Sequence, residues 1–187
     1  MLDIEAHKES LESLLTTSQV NHVARFGVWC CIGLTHDESV FEFLASKSGG
    51  TSTQIRDRVL DYLNEVWQGH ENTIPLRDIE QVDWDPDEIE MSDEAAAQGA
   101  TDLLAGLAFL GKWCTDHKVK ELASCAEVLI NRIDYLESFG LIDGNVANPV
   151  DHEVEIQRIF ASDLADGNVT DNDKRKYHEW LFDNGNS

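Results

Sequence analysis

One segment of the sequence carries apolar side chains on nearly every side of a helix. It includes Val20, Val23, Ala24, Phe26, Val28, Trp29, Cys30, Cys31, Ile32 and Leu34. A helix that is apolar all round cannot lie at a surface, because some of its apolar faces would then contact water. We therefore predict that it lies at the centre of a bundle, with helices on several sides, and that Ser18 caps its start.

The other apolar residues recur at steps of three and four, the spacing of amphipathic helices, and no strand pattern is comparably strong. Further helices are predicted over about 3–16, after the polar break at Thr35 to Glu38 as far as Gly49 and Gly50, from Thr51 or Ser52 to Gly69, from Ser92 through Trp113, from Asp116 to Gly140, from Asn148 and Pro149 through Leu164, and around Tyr177 to Leu181. The prediction is an all-α, single-domain bundle of about seven to eight helices over residues 1–187. An acidic connection at about 70–92 includes a helical turn near 77–82.

The charge of the chain limits its partners. It has 14 Lys and Arg against 36 Asp and Glu, a formal charge of −22. Such a charge repels nucleic acid and anionic membranes and attracts basic proteins and cations. Because 42% of the residues are hydrophobic, the chain has the composition of a globular domain and not of a disordered acidic tail.

The N-terminal residues and the cysteines indicate the cellular compartment in which the protein is expected. The first residues carry acids and lack the basic and apolar regions of a signal peptide, and no segment reaches the roughly 18 apolar residues of a spanning helix. Cys30, Cys31, Cys114 and Cys125 form neither a CxxC pair nor the spacing of a disulfide framework. We expect a cytoplasmic protein with reduced thiols.

Residues 78–94, DIEQVDWDPDEIEMSDE, hold nine carboxylates and no Lys or Arg. Asp83, Asp85, Asp87 and Glu94 match positions 1, 3, 5 and 12 of an EF-hand calcium loop. However, the sixth position requires glycine for a sharp turn and here is Glu88. The pattern therefore favours an acidic connection or a partner-binding surface over a calcium site.

The five tryptophans divide into two groups. Trp29, Trp67, Trp113 and Trp180 lie on apolar helical faces and are predicted to be core residues. Trp84 stands among acids, where an exposed ring would anchor a basic partner; alternatively, the ring packs onto the helices below. The predicted partner-binding residues are Asp83, Trp84, Asp85, Asp87 and Glu88.

Motifs of catalysis are missing from the sequence. It contains no GxSxG, no HExxH and no P-loop, so we predict no catalytic residues, no metal site and no cofactor. We interpret His152 and Glu153 as the charged first turn of a helix, His36 to Glu38 as another helix start, and residues 166–173 as a turn. Cys30 and Cys31 are predicted to be small core residues.

The order of these segments resembles that of the YjaG-like family of small bacterial helical proteins. The stretches that carry the resemblance are FGVWCCIGL, HDESVFEFLASKSGG, IRDRVLDYLNEVWQ and NPVDHEVEIQRIF. The acidic connection and the C-terminal TDNDKRKYHEWLFDNGNS depart from the family. The resemblance implies a bacterial, cytoplasmic, all-helical protein and no catalytic residues.

These features favour a non-enzymatic acidic protein that binds a basic partner. The leading hypothesis is an immunity or antitoxin type inhibitor of a basic, nuclease-like toxin domain. An alternative is a helical-bundle enzyme or binding protein in which inward-facing acids, such as Glu153, Glu155 or Asp134, hold a divalent cation. A charge that serves only solvation is also open, as is the oligomeric state.

Overall fold

A computed structural model describes residues 3–18, 22–70, 76, 79, 81–142 and 146–182. The described chain forms α1 (Ile4–Thr17), α2 (Ala24–Gly33), α3 (Glu38–Ser48), α4 (Ser52–Trp67), α5 (Glu94–Asp116), α6 (Val119–Ser138), α7 (Pro149–Ala165) and α8 (Glu179–Phe182). Short 3-10 helices cover Pro86–Glu88 and Asp173–Arg175, and no strand occurs in these residues. The all-α prediction is confirmed. No helix in the described part is long and apolar enough to cross a membrane.

Helix α2 lies at the centre of the bundle, as its apolar sequence predicts. All ten of its residues are buried, and it packs against α4, α5, α6 and α7. Its start differs from the prediction, because the helix begins at Ala24 with Val23 before it, and no side chain caps it. Ser18 instead ends α1, where its backbone N–H donates to the Leu15 carbonyl at 3.1 Å.

Two other predicted caps are displaced by one or two residues. Helix α5 is preceded by Asp93 and not by Ser92, whose hydroxyl donates to the Asp93 carboxylate at 3.3 Å. Asp116 is the last residue of α5 and does not cap α6, because His117 adopts a left-handed conformation (φ 52°) that ends α5 there. Thr51 caps α4 and Asn148 precedes Pro149 in α7, both as predicted. Residues 77, 78 and 80 of the predicted turn at 77–82 lie outside the described residues.

Gly99 allows α3 and α6 to approach α5 closely. A Cβ atom at Gly99 would lie 2.6 Å from the Val40 Cγ2 atom and 2.8 Å from the Arg132 Nη2 atom. Neither neighbour moves easily, since Val40 is β-branched and the buried Arg132 donates to the Ala95 carbonyl at 3.0 Å and to the Asp37 carboxylate at 3.1 Å. The close approach therefore requires glycine.

Alanine substitutions at two glycines of α5 are expected to change the free energy of unfolding in opposite directions. Gly99→Ala should lower the free energy of unfolding by about 1–2 kcal/mol, because overpacking exceeds the gain in helix propensity. Gly111→Ala should raise it by about 0.5–1 kcal/mol, because only the Tyr62 hydroxyl lies near, at 3.8 Å. Urea unfolding of both variants measures the difference. Equal effects would contradict the packing described at Gly99.

Candidate functional site

The acidic connection is anchored to the core by its apolar residues. Leu76 and Ile79 are buried, and Val82, Trp84 and Ile89 are half-buried against the core. The Val82 N–H donates to the Ile79 carbonyl at 3.1 Å, which closes a turn just before the acidic residues. These apolar contacts set the position of the segment, so it is more than a solvated linker.

The carboxylates of the same segment face solvent. The exposed acidic residues are Asp83, Asp85, Asp87, Glu88, Glu90, Asp93 and Glu94. The Asp85 carboxylate accepts from the Asp87 N–H at 3.0 Å and begins the 3-10 helix Pro86–Glu88. The structure thus places the four predicted partner-binding acids together on one short exposed segment.

The partial EF-hand pattern does not form a calcium loop. The 3-10 helix occupies the positions where the loop would turn, and the Asp83 and Asp85 carboxylates accept from nearby backbone N–H groups. Among the described residues, no three His, Cys, Asp or Glu side chains converge as metal ligands. The segment is an exposed acidic surface in this structure.

Trp84 packs onto the helices, which is the second of its two predicted alternatives. Its ring is half-buried and meets the ring of Phe43 on α3 edge to face, with centroids 5.0 Å apart. The ring also lines an open groove next to the acidic segment. Trp84 therefore lines this groove and is not a fully exposed anchor residue.

The groove beside Trp84 has a volume of about 340 Å³. Its walls come from three elements, namely the acidic segment, α5 and the end of α6, and its lining residues are Trp84, Pro86, Ile89, Glu94, Ala97, Gln98, Thr101, Tyr135 and Phe139. Phe139, directly after α6, is 66% exposed and contacts Tyr135 at a ring distance of 4.6 Å. An exposed aromatic ring at the edge of an apolar groove is typical of a docking surface.

A second polar arrangement is completely buried, and of its members sequence reasoning named only Glu153 as a possible inward-facing acid. The Glu153 carboxylate accepts from His178 Nε2 at 3.2 Å and from Gln157 Nε2 at 2.9 Å. Gln157 also donates to the Ala126 carbonyl at 3.2 Å, and its Oε1 atom lies 2.8 Å from His7 Nε2. This buried polar chain of His7, Gln157, Glu153 and His178 connects α1, α6, α7 and the C-terminal segment.

The directions of these hydrogen bonds assign the His7 tautomer. Because both amide hydrogens of Gln157 are donated, its oxygen accepts and His7 Nε2 carries the proton. His7 Nδ1 has no partner and is buried. Burial lowers the pKa of His7, which keeps the ring neutral at physiological pH.

The Glu153 and His178 pair resembles the carboxylate-oriented histidine of a general base. Both side chains are fully buried, however, and His178 is stacked on Trp29 with ring centroids 3.7 Å apart. The pair joins the C-terminal segment to α7, since His178 and Glu153 lie 3.2 Å apart in the core. Glu153 lies near the start of α7, the helix predicted to open there, and its side chain is buried, as the alternative of an inward-facing acid required.

The sequence does contain a signal for this burial. Glu153, Gln157, Phe160 and Leu164 recur at steps of four, three and four, so they share one face of α7. All four are buried. By contrast, Glu155 and Asp134, named with Glu153 as possible cation ligands, are exposed. The structure does not bring these three acids together.

Three cysteines are core residues, as predicted for two of them. Cys30, Cys31 and Cys125 are fully buried. Burial raises the pKa of Cys30, and a hydrogen bond with Cys31 together with burial raises the pKa of Cys125. Both thiols are therefore protonated at neutral pH, which disfavours nucleophilic or redox chemistry.

The predicted turn at residues 166–173 docks on the central helix. The Asp173 carboxylate accepts from the Thr170 N–H at 2.6 Å and from its hydroxyl at 2.7 Å, and these bonds lower the pKa of Asp173. Arg25 of α2 pairs with Asp171 at 2.6 Å. The segment is a turn that is held by α2.

Comparison with known proteins gives no family for this chain: no protein-family model, curated protein or solved structure matches it. The resemblance to the YjaG-like family stays a prediction.

Proposed function

We propose that this chain is a non-enzymatic inhibitor that binds a basic protein through the acidic segment at residues 83–94. The observation that supports the proposal most directly is that apolar contacts fix this segment on the core while its carboxylates face water. A fixed array of charges loses less conformational entropy on binding than a flexible acidic tail does. The arrangement therefore suits specific capture.

The partner that this charge fits best is a nuclease-like domain of a toxin. Such a domain carries a basic surface for phosphates, and an acidic protein would compete for that surface. Long-range attraction would also accelerate association, which benefits an inhibitor that must act before nucleic acid is cut. An immunity or antitoxin role of this kind places the protein in the bacterial cytoplasm.

We expect neutralisation of the four acids to abolish partner capture. In this rim variant Asp83, Asp85 and Asp87 become Asn and Glu88 becomes Gln. A matched control neutralises four exposed carboxylates elsewhere, those of Glu9, Glu155, Asp166 and Glu179. Both variants are four units less negative than the original −22, so only the position of the lost charge differs between them.

The measurement is retention of proteins from the native cell extract on the immobilised original chain and on the two variants, with elution by rising salt. A single basic protein should leave the original and control columns sharply and be absent from the rim variant. Its nuclease activity should fall when the original chain is added. A similar mixture of basic proteins on all three columns would overturn the proposal and leave solvation as the role of the charge.

A further inference from the structure

The groove beside Trp84 specifies more about the partner than charge alone, and the inference rests on the proposed function. We infer that the groove accepts one apolar side chain, preferably aromatic, from a segment of the partner that has Lys or Arg on both sides of it. The acidic residues around the groove would pair with those cations. The partner would thus be recognised by a basic segment with an apolar anchor.

The apolar half of this inference comes from the walls. Trp84, Pro86 and Ile89 of the acidic segment line the groove together with Tyr135 and Phe139 from the end of α6. Among the described residues, Phe139 is one of the few large apolar residues that are more than half exposed, and its ring contacts that of Tyr135 in the last turn of α6. Covering this ring with an apolar side chain would remove apolar area from water.

The basic half comes from the exposed carboxylates that flank the lining residues along the chain. Trp84 lies between Asp83 and Asp85 in the chain, and Ile89 lies between Glu88 and Glu90. These four acids are exposed, and Glu94 itself lines the groove. An apolar side chain that enters the groove therefore brings its neighbours against carboxylates, where Lys or Arg is favoured and Asp or Glu is repelled.

Charge disfavours a second copy of this chain as the occupant of the groove. A twofold contact at this surface would place one acidic segment against the same segment of the other copy. With a formal charge of −22 on each copy, the repulsion would oppose association. The same argument excludes an acidic or phosphorylated segment, so charge complementarity selects a basic one.

The test uses two fluorescein-labelled synthetic peptides of about twelve residues. Both consist mainly of Lys, Arg and Ser, and they differ only in a central Phe or Ser. Binding is measured by fluorescence anisotropy at about 0.15 M salt, where long-range attraction between exposed charges is screened. The Phe peptide is expected to bind about tenfold more tightly than the Ser peptide, as for a buried anchor residue.

Variants of the protein locate the anchor. Phe139→Ser should reduce the affinity for the Phe peptide about fivefold to tenfold and change that for the Ser peptide less than about twofold. Thr101→Trp, which fills the groove from the exposed side of α5, should act in the same direction. Ile159→Ser is the matched control, since Ile159 is an exposed apolar residue of α7 that does not line the groove. Circular dichroism verifies that each variant is folded.

The outcomes separate this inference from the proposed function. Equal affinity of the two peptides, or a Phe preference that survives both groove variants, would overturn the inference alone. The proposed function fails separately, when the extract experiment shows no difference between the rim variant and its matched control. Absence of binding by both peptides would also overturn the inference.

Discussion

Replacing Trp29 with alanine is expected to lower the free energy of unfolding by about 4 kcal/mol. Trp29 is fully buried in α2, and its ring stacks on Phe160 at 4.5 Å and on His178 at 3.7 Å. Its indole N–H donates to the Lys176 carbonyl at 2.8 Å. The substitution would remove the apolar contacts and leave that carbonyl without its donor.

The measurement is urea unfolding followed by far-ultraviolet circular dichroism. Because domains are stable by only about 5–15 kcal/mol, Trp29→Ala could unfold without denaturant. Trp29→Phe keeps an aromatic ring in the stack and should lose only about 1–2 kcal/mol, which makes the position measurable in either case. A loss below about 1 kcal/mol for the alanine variant would contradict the stacked arrangement.

The second large effect is expected at Glu153. Glu153→Ala should lower the free energy of unfolding by about 3 kcal/mol, because His178 and Gln157 lose a buried acceptor. Glu155→Ala is the matched control on the same helix, and its effect should stay within about 0.5 kcal/mol because Glu155 is exposed. Urea unfolding compares the two.

A double-mutant cycle with His178→Ala shows whether the loss at Glu153 comes from this pair. The second substitution should cost less in the Glu153→Ala background, because the acceptor for the histidine is already absent. Additive losses would mean that the two side chains do not interact in solution. Equal stability of Glu153→Ala and Glu155→Ala would contradict the buried polar chain as a whole.

Several features of the fold follow from local sequence and could be predicted. The apolar residues of α2 require burial on every side, whatever the topology. Thr51 and Gly49 have the residue types that begin and end helices, so the bounds of α3 and α4 were close to the prediction. Where two polar residues compete for one helix start, as Ser92 and Asp93 do, the local pattern does not choose between them.

Burial of polar residues was harder to predict, because it depends on partners far away in the chain. Glu153 meets His178 and Gln157 meets His7, 150 residues away in the sequence. Periodicity places Glu153 and Gln157 on the apolar face of α7, but a carboxylate on such a face is equally consistent with a solvated helix end. Burial of the Glu153 carboxylate is energetically tolerated only because tertiary structure brings the histidines into this polar chain.

Some features of the candidate surface likewise follow from the sequence, and others depend on the tertiary structure. By itself, the sequence determined a strongly acidic, all-helical chain and an acidic segment around Trp84, because charge and apolar period are properties of the residues themselves. Tertiary structure alone decided that Phe139, from the end of α6, lines the same groove as Trp84. The physical reason is that a groove exists only between elements, and the packing of α5 against α6 sets which residues face each other there.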